Sequence, residues 1–138
     1  MRPGTYVLMD ASMASAYGNL SRCAVTVLAT VISRPTDERV ILDVGAKGIT
    51  MQTRRTGITA VEGMGLIKNH EGVHIFDVYD EHAIIYNKGF REQVRVGDKV
   101  EIIPVHVCPM MNLHEEAHVV EDGRIVETWK IAARGKLK

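Results

Sequence analysis

Helix-period signals are scarce along this chain, and runs of β-branched and alternating apolar residues dominate. Residues 23–32 read CAVTVLATVI. Both alternating sets are apolar, which predicts a strand covered on both faces. Arg34-Pro35-Thr36-Asp37 breaks the run with turn chemistry. RVILDV (39–44) is the next predicted strand, stopped by Gly45. ITAVEGMGLI (58–67) alternates weakly around Gly63 and Gly65 and predicts a kinked or bulged strand pair. VHIFDVYD (73–80) and AIIYN (83–87) flank the polar pair Glu81-His82. QVRVGDKVEIIPVHVC (93–108) reads as two strands or one bent strand with its corner at Gly97-Asp98. HVVEDGRIVETWKIAA (118–133) reads as a hairpin on a type I′ Asp122-Gly123 turn, with Trp129 in the core. A single helix is predicted over 10–17, with Asp10 or Ser12 as N-cap and Gly18-Asn19 as its stop. Many short strands at close spacing predict an all-β class: a small β-barrel or sandwich with at most one short helix.

Composition narrows the function classes. A chain of 138 residues, 46% hydrophobic, can bury its own core as one domain. Lys plus Arg and Asp plus Glu are 17 each, so the formal net charge is zero. A nucleic-acid binder or a protein seated on anionic membranes needs a basic excess, so neither partner is expected. No apolar run approaches the ~20 residues that span a bilayer. Met1-Arg2-Pro3-Gly4 lacks an apolar signal core, so a cytoplasmic protein is expected. There, Cys23 and Cys108 are thiols or ligands rather than a disulfide.

The densest candidate chemistry is Pro104-Val105-His106-Val107-Cys108-Pro109. On a strand, positions i and i+2 share a face, so His106 and Cys108 would present an imidazole and a thiol side by side. Zn²⁺ favours such nitrogen and sulfur donors, and two protein ligands leave positions open for water or substrate. From spacing alone, a buried cysteine beside a hydrogen-bonded histidine is the commoner arrangement. A nucleophile–base pair is a third reading, without an evident third orienting group. His114-Glu115-Glu116-Ala117-His118 matches H-E-x-x-H, which works only on a helix. The hairpin that follows leaves little room for one, so the match reads as chance. His70 and His74 read as surface residues, as does Lys47 after its turn. Glu81 and His82 read either as ligand-orienting residues or as a solvated turn.

The order of these segments carries more than any one of them. RPGTYV (2–7), CAVTVLATVISRP (23–35), LDVGAKG (42–48), DEHAII (80–85), VGDKVEIIPVHVCPMMNL (96–113) and TWKIAARGK (128–136) form a series from Arg2 to the end. The series resembles the C-terminal domain of the D-threonine aldolase / D-serine dehydratase family, alanine racemase-like enzymes that join a pyridoxal-phosphate (PLP) barrel to a β domain. The resemblance implies that His106 and Cys108 are the protein ligands of a divalent metal, Zn most of all, with Mn or Mg as alternatives. That metal polarises the substrate β-hydroxyl beside PLP. It implies that residues 1–10 are the remnant of the last strand of a PLP barrel this chain does not contain, and that 11–138 are the C-terminal β domain. Backbone N–H groups at Gly4, Thr5 and Tyr6 would then face the PLP phosphate. The lysine that holds PLP belongs to the barrel, and Lys47 does not take that role. The family usually has an acidic residue where Gln52 stands, and Glu-His-Gly where the chain reads Glu81-His82-Ala83. Aldolase members often carry a carboxylate at the Cys108 position, so the thiolate leans towards zinc and the dehydratase branch.

The expected function is therefore the metal-binding β domain of a PLP-dependent lyase acting on D-3-hydroxyamino acids, with its barrel supplied in cis or as a split subunit. The full enzyme would be a homodimer, and the chain alone would be inactive. The alternative is a non-catalytic β module for assembly or small-ligand binding with a vestigial metal pair. A minimal metallohydrolase using His114 and His118 is more distant.

Overall fold

A computed structural model describes residues 4–136. Eight strands and four short helices follow one another: α1 (Ala11–Tyr17), β1 (Val27–Ser33), β2 (Arg39–Leu42), α2 (Ala46–Ile49), β3 (Gly65–Ile67), β4 (Asp77–Val78), β5 (Ala83–Tyr86), α3 (Lys88–Gln93), β6 (Lys99–Pro104), α4 (Val107–Met111), β7 (Glu116–Glu121) and β8 (Arg124–Lys130). The mostly-β class is as the sequence predicts. The helices α2, α3 and α4 come in addition to the single one expected.

Six strands form one sheet in the order β3-β6-β1-β2-β5-β4, every neighbouring pair antiparallel. The sheet curls until its two ends meet. The chain entering β4 bonds back to β3, with Met64 N–H to Ile75 O (2.8 Å), Ile75 N–H to Gly65 O (2.8 Å) and Ile67 N–H to Val73 O (2.9 Å). The same segment then turns to β5, where Phe76 N–H donates to Ile84 O at 2.8 Å. Gly63 makes this crossing possible. Its φ is +73°, and a Cβ there would lie 2.3 Å from Ile75 O. Of the predicted 58–67 pair, only Gly65–Ile67 is strand, because the glycines turn the chain before it.

Alternation fills the interior. Val27, Ala29 and Val31 of β1, Val40 and Leu42 of β2, and Val100 and Ile102 of β6 point into one core. Ile49, Phe90 and Met110, from the added helices, join the same core. Contrary to the reading of residues 23–32, β1 is covered on one face only: Leu28 is 65% exposed. The other face of β6 seats α1. Ile103 and Val105 pack there with Ala11, Ala14, Cys23 and Val61 in a second cluster.

Helix α1 has the predicted ends. Asp10 accepts from Met13 N–H, and Gly18 closes the helix in the left-handed region at φ 65°. The β7–β8 hairpin turns at Asp122 and Gly123 with φ of 48° and 76°, as a type I′ turn requires. Trp129 is not core. It lies on this hairpin and is 54% exposed, because β8 has only β7 as a strand partner. Thr5–Val7 form a 3₁₀ turn rather than a strand, with Val7 N–H on Gly4 O and Met9 N–H on Thr5 O. Residues 1–3 of the proposed barrel remnant lie outside the described residues.

Candidate metal site at the start of α4

His106 and Cys108 are not on a strand. β6 ends at Pro104, and His106 is the extended N-cap residue of α4, with φ −139° and ψ 117°. Pro109 explains the change. It is the third residue of the helix, where its missing N–H costs no intrahelical bond. The same-face argument for a strand therefore fails: the two residues stand at the N-cap and the second position of the first helical turn.

The imidazole is fixed by a residue 96 positions away. His106 Nδ1 lies 3.0 Å from Asp10 Oδ2, and Asp10 is fully buried. The same oxygen accepts from Val107 N–H at 3.0 Å. The other carboxylate oxygen caps α1 by accepting from Met13 N–H at 2.9 Å. The His106 side chain is 21% exposed. Cys108 is exposed, and its Sγ lies 3.6 Å from Thr5 Oγ1. Asp10 was legible in the sequence only as a helix cap. Its contact with His106 needs α1 docked on β6, which no local pattern shows.

The remaining candidates disperse. His114 sits after α4 with its Nε2 on Gly48 O at 2.8 Å, and His118 is on β7 beside Thr128 Oγ1 at 3.0 Å. They do not share a helix, so the H-E-x-x-H match is indeed chance. Among the described residues no three histidine, cysteine or carboxylate side chains form a metal cluster. His70 and His74 are half-buried rather than surface residues. His70 packs edge-on against Phe90 with centroids 4.9 Å apart, and His74 lines an open groove of about 470 Å³ with Arg55, Glu62 and Phe76. That groove contains neither His106 nor Cys108. Lys47 donates to Glu81 Oε1 at 2.8 Å on the surface. This bond, then the Glu81 charge, holds the Lys47 ammonium above its ordinary pKa. A lysine kept protonated is a poor nucleophile. Glu81 thus makes a surface ion pair. The buried Cys23 thiol is pushed up, first by burial and then by the charge of Asp10.

A small curled six-stranded sheet with an imidazole and a thiol at a helix start, the imidazole held by a buried carboxylate, defines a β domain with a candidate metal pair. The family model described as "Putative serine dehydratase domain" matches residues 24–120, and the chain belongs to that family. It is 31% identical to a D-threonine aldolase of Arthrobacter sp over 98% of its own length and 34% of that enzyme. The structure of D-threonine aldolase from Filomicrobium marinum superposes with a TM-score of 0.78 at 26% identity, over 99% of this chain and 36% of that one. An uncharacterized protein of Mycobacterium tuberculosis (strain ATCC 25618 / H37Rv) is 35% identical over 85% of this chain and 92% of its own length. D-threo-3-hydroxyaspartate dehydratase from Delftia sp. HT23 shares the fold, with a TM-score of 0.77 at 21% identity over 91% of this chain and 37% of that one. Solved forms of a dehydratase of that name include histidine-to-alanine and cysteine-to-alanine variants at positions two apart, the latter metal-free. The chain thus spans about a third of the named enzymes it matches.

Proposed function

We propose that this chain is the metal-bearing β domain of a PLP-dependent lyase acting on D-3-hydroxyamino acids, with His106 and Cys108 as the protein ligands of a divalent metal, zinc before manganese or magnesium. The observation that carries the reading is the carboxylate–imidazole pair of Asp10 and His106, with an exposed thiol two residues further along the chain. Metal-ligating histidines commonly donate their second ring N–H to a carboxylate, so the donor set fits the metal. The spacing of the replaced histidine and cysteine in the dehydratase supports the same pair. When bound, the metal supplies a Lewis acid that polarises the substrate hydroxyl. His106 and Cys108 hold two positions and leave the rest to water or substrate.

Gly4, Thr5 and Tyr6 would add backbone N–H groups to the PLP phosphate site. A single 3₁₀ turn supplies too few donors to cradle a phosphate, so that site is completed only by a PLP barrel, in cis or as a separate subunit. The complete enzyme is a homodimer in this reading. The full length of the D-threonine aldolase it matches supports the larger assembly.

Competitive titration of zinc against a chromogenic chelator tests the ligands. The wild-type chain should bind zinc weakly, because two ligands leave the shell open. His106→Ala and Cys108→Ala should each lose most of that binding. The His114→Ala/His118→Ala double variant should keep it. Zinc lost in the double variant and kept in Cys108→Ala would overturn the assignment.

A second reading, a non-catalytic β module with a vestigial metal pair, draws on the mycobacterial relative, 92% of which this chain covers. Zinc binding by the wild-type chain with the expected variant pattern separates the first reading from it.

A further inference from the structure

We propose that Asp10 is the positioning residue of this site: one buried carboxylate sets both the ring of His106 and the first turn of α4 that carries Cys108. What the pair binds rests on the metal reading above. The positioning itself rests on geometry.

Asp10 does more than an N-cap needs. Capping α1 takes one acceptor, and Met13 N–H uses Oδ1 for that. The second oxygen faces away from α1 and receives two donors from another element. A carboxylate has no proton to give, so the bond to His106 requires a proton on Nδ1. The neutral ring then carries its lone pair on Nε2. Val107 N–H is one of the orphan donors at the start of α4, and the His106 side chain does not cap it. Asp10 takes that place from outside the helix. Cys108 is the next residue, so its backbone position hangs on the same oxygen.

The approach of Asp10 is itself held against strain. Met9, immediately before it, has φ 60°, a conformation uncommon for a non-glycine residue. Met9 N–H is tied to Thr5 O at 2.7 Å, and its side chain is buried in the second cluster. Strained backbone of this kind persists where surrounding contacts over-determine it. The docking of α1 does not depend on Asp10 alone. Ser12 donates from its Oγ to Val105 O at 2.7 Å and from its N–H to the same oxygen at 3.3 Å. A substitution at Asp10 therefore separates positioning from packing.

Asp10→Ser is the informative variant. Serine still caps α1 but is too short to reach His106 and Val107 as well. Ser12→Ala is the control, because it removes a bond between the same two elements without touching the pair. Nitrogen-15 spectra of the imidazole, taken on the metal-free full chain in alkaline buffer, read the tautomer. Wild type and Ser12→Ala should show His106 protonated on Nδ1, and Asp10→Ser should shift it to the Nε2–H form. Zinc affinity should fall roughly 10–100-fold in Asp10→Ser and stay unchanged in Ser12→Ala. Wild-type His106 protonated on Nε2, or wild-type zinc affinity in a folded Asp10→Ser, overturns the proposal. Circular dichroism checks the fold, and Asp10→Thr, which can still cap α1 but is too short to reach His106 and Val107, repeats the test should Asp10→Ser not fold. Nδ1–H in the wild type with no zinc affinity overturns the metal reading, and the two failures are told apart because the tautomer is read without metal.

Discussion

At the scale of single residues, environment divides groups of the same chemical type. Cys108 is exposed, whereas Cys23 is buried with its thiol held above its ordinary pKa by burial and then by Asp10. A disulfide reagent should consume one thiol per native chain quickly and the second only in denaturant, and added zinc should slow the fast one. Equal rates for both thiols in the native chain would contradict this assignment. Glu101 is a second case. The hydrogen bond from Lys68 at 2.8 Å, then that from Thr26 at 2.7 Å, lowers its pKa while burial opposes them. A folded pKa below the unfolded value of ~4.3 contributes stability above that pH and loses it as pH falls through the folded value. Lys68→Met should destabilise the chain at neutral pH by about 0.5 kcal/mol, since both side chains of the pair are 40% exposed. In strong acid the difference should shrink, as urea midpoints at the two pH values would show. The sequence singled out His106 and Cys108 as a candidate pair through the family resemblance, since their spacing alone favoured an ordinary buried cysteine beside a hydrogen-bonded histidine. It left Asp10 hidden, because a long-range hydrogen bond has no signature in local composition.

At the scale of elements, the legible ones are those specified by their own residues. The α1 caps and the Asp122-Gly123 turn follow from local chemistry and stand where the sequence placed them. The stretch 93–108 was harder, because β-branched residues run past the end of β6. Pro109 in the first turn of α4 was the available signal, and an edge strand tolerates proline equally well. Trp129 failed for another reason: hydrophobicity predicts burial only where a second layer exists, and β7–β8 pairs only with itself. The single tryptophan therefore reports on the hairpin. Its fluorescence should be open to acrylamide quenching in the folded chain. Gly123→Ala places a Cβ at φ 76°, at a cost of ~1–2 kcal/mol. That cost should fall on the hairpin, speeding amide exchange in 116–130 while the cooperative melting of the barrel stays in place. A matched drop of the barrel transition would show that hairpin and barrel unfold as one unit.

At the scale of the whole molecule, the curled sheet encloses the main core while the surface still carries apolar side chains. Leu28, Phe76, Tyr79 and Trp129 are each more than half exposed. Among the described residues no helix is long and apolar enough to cross a membrane. Lys47, which does not take the role of the PLP lysine in the family resemblance, is an exposed residue ion-paired with Glu81. Incubation with PLP followed by borohydride and intact mass measurement should therefore give no single stoichiometric adduct. One adduct localised to one lysine would sink the view that covalent PLP chemistry comes from another domain.

The crossing at Val73–Val78 has a consequence for association. Because that segment pairs with β3 at one end and β5 at the other, it covers the outer edge of β3, and the other end strand, β4, is only two residues long. Another chain finds little edge on which to add a strand, the route by which open sheets recruit partners or aggregate. Association with the barrel is therefore left mainly to its side-chain faces. The β7–β8 ribbon, a separate two-stranded sheet with strands of six and seven residues, offers a longer rim for backbone pairing.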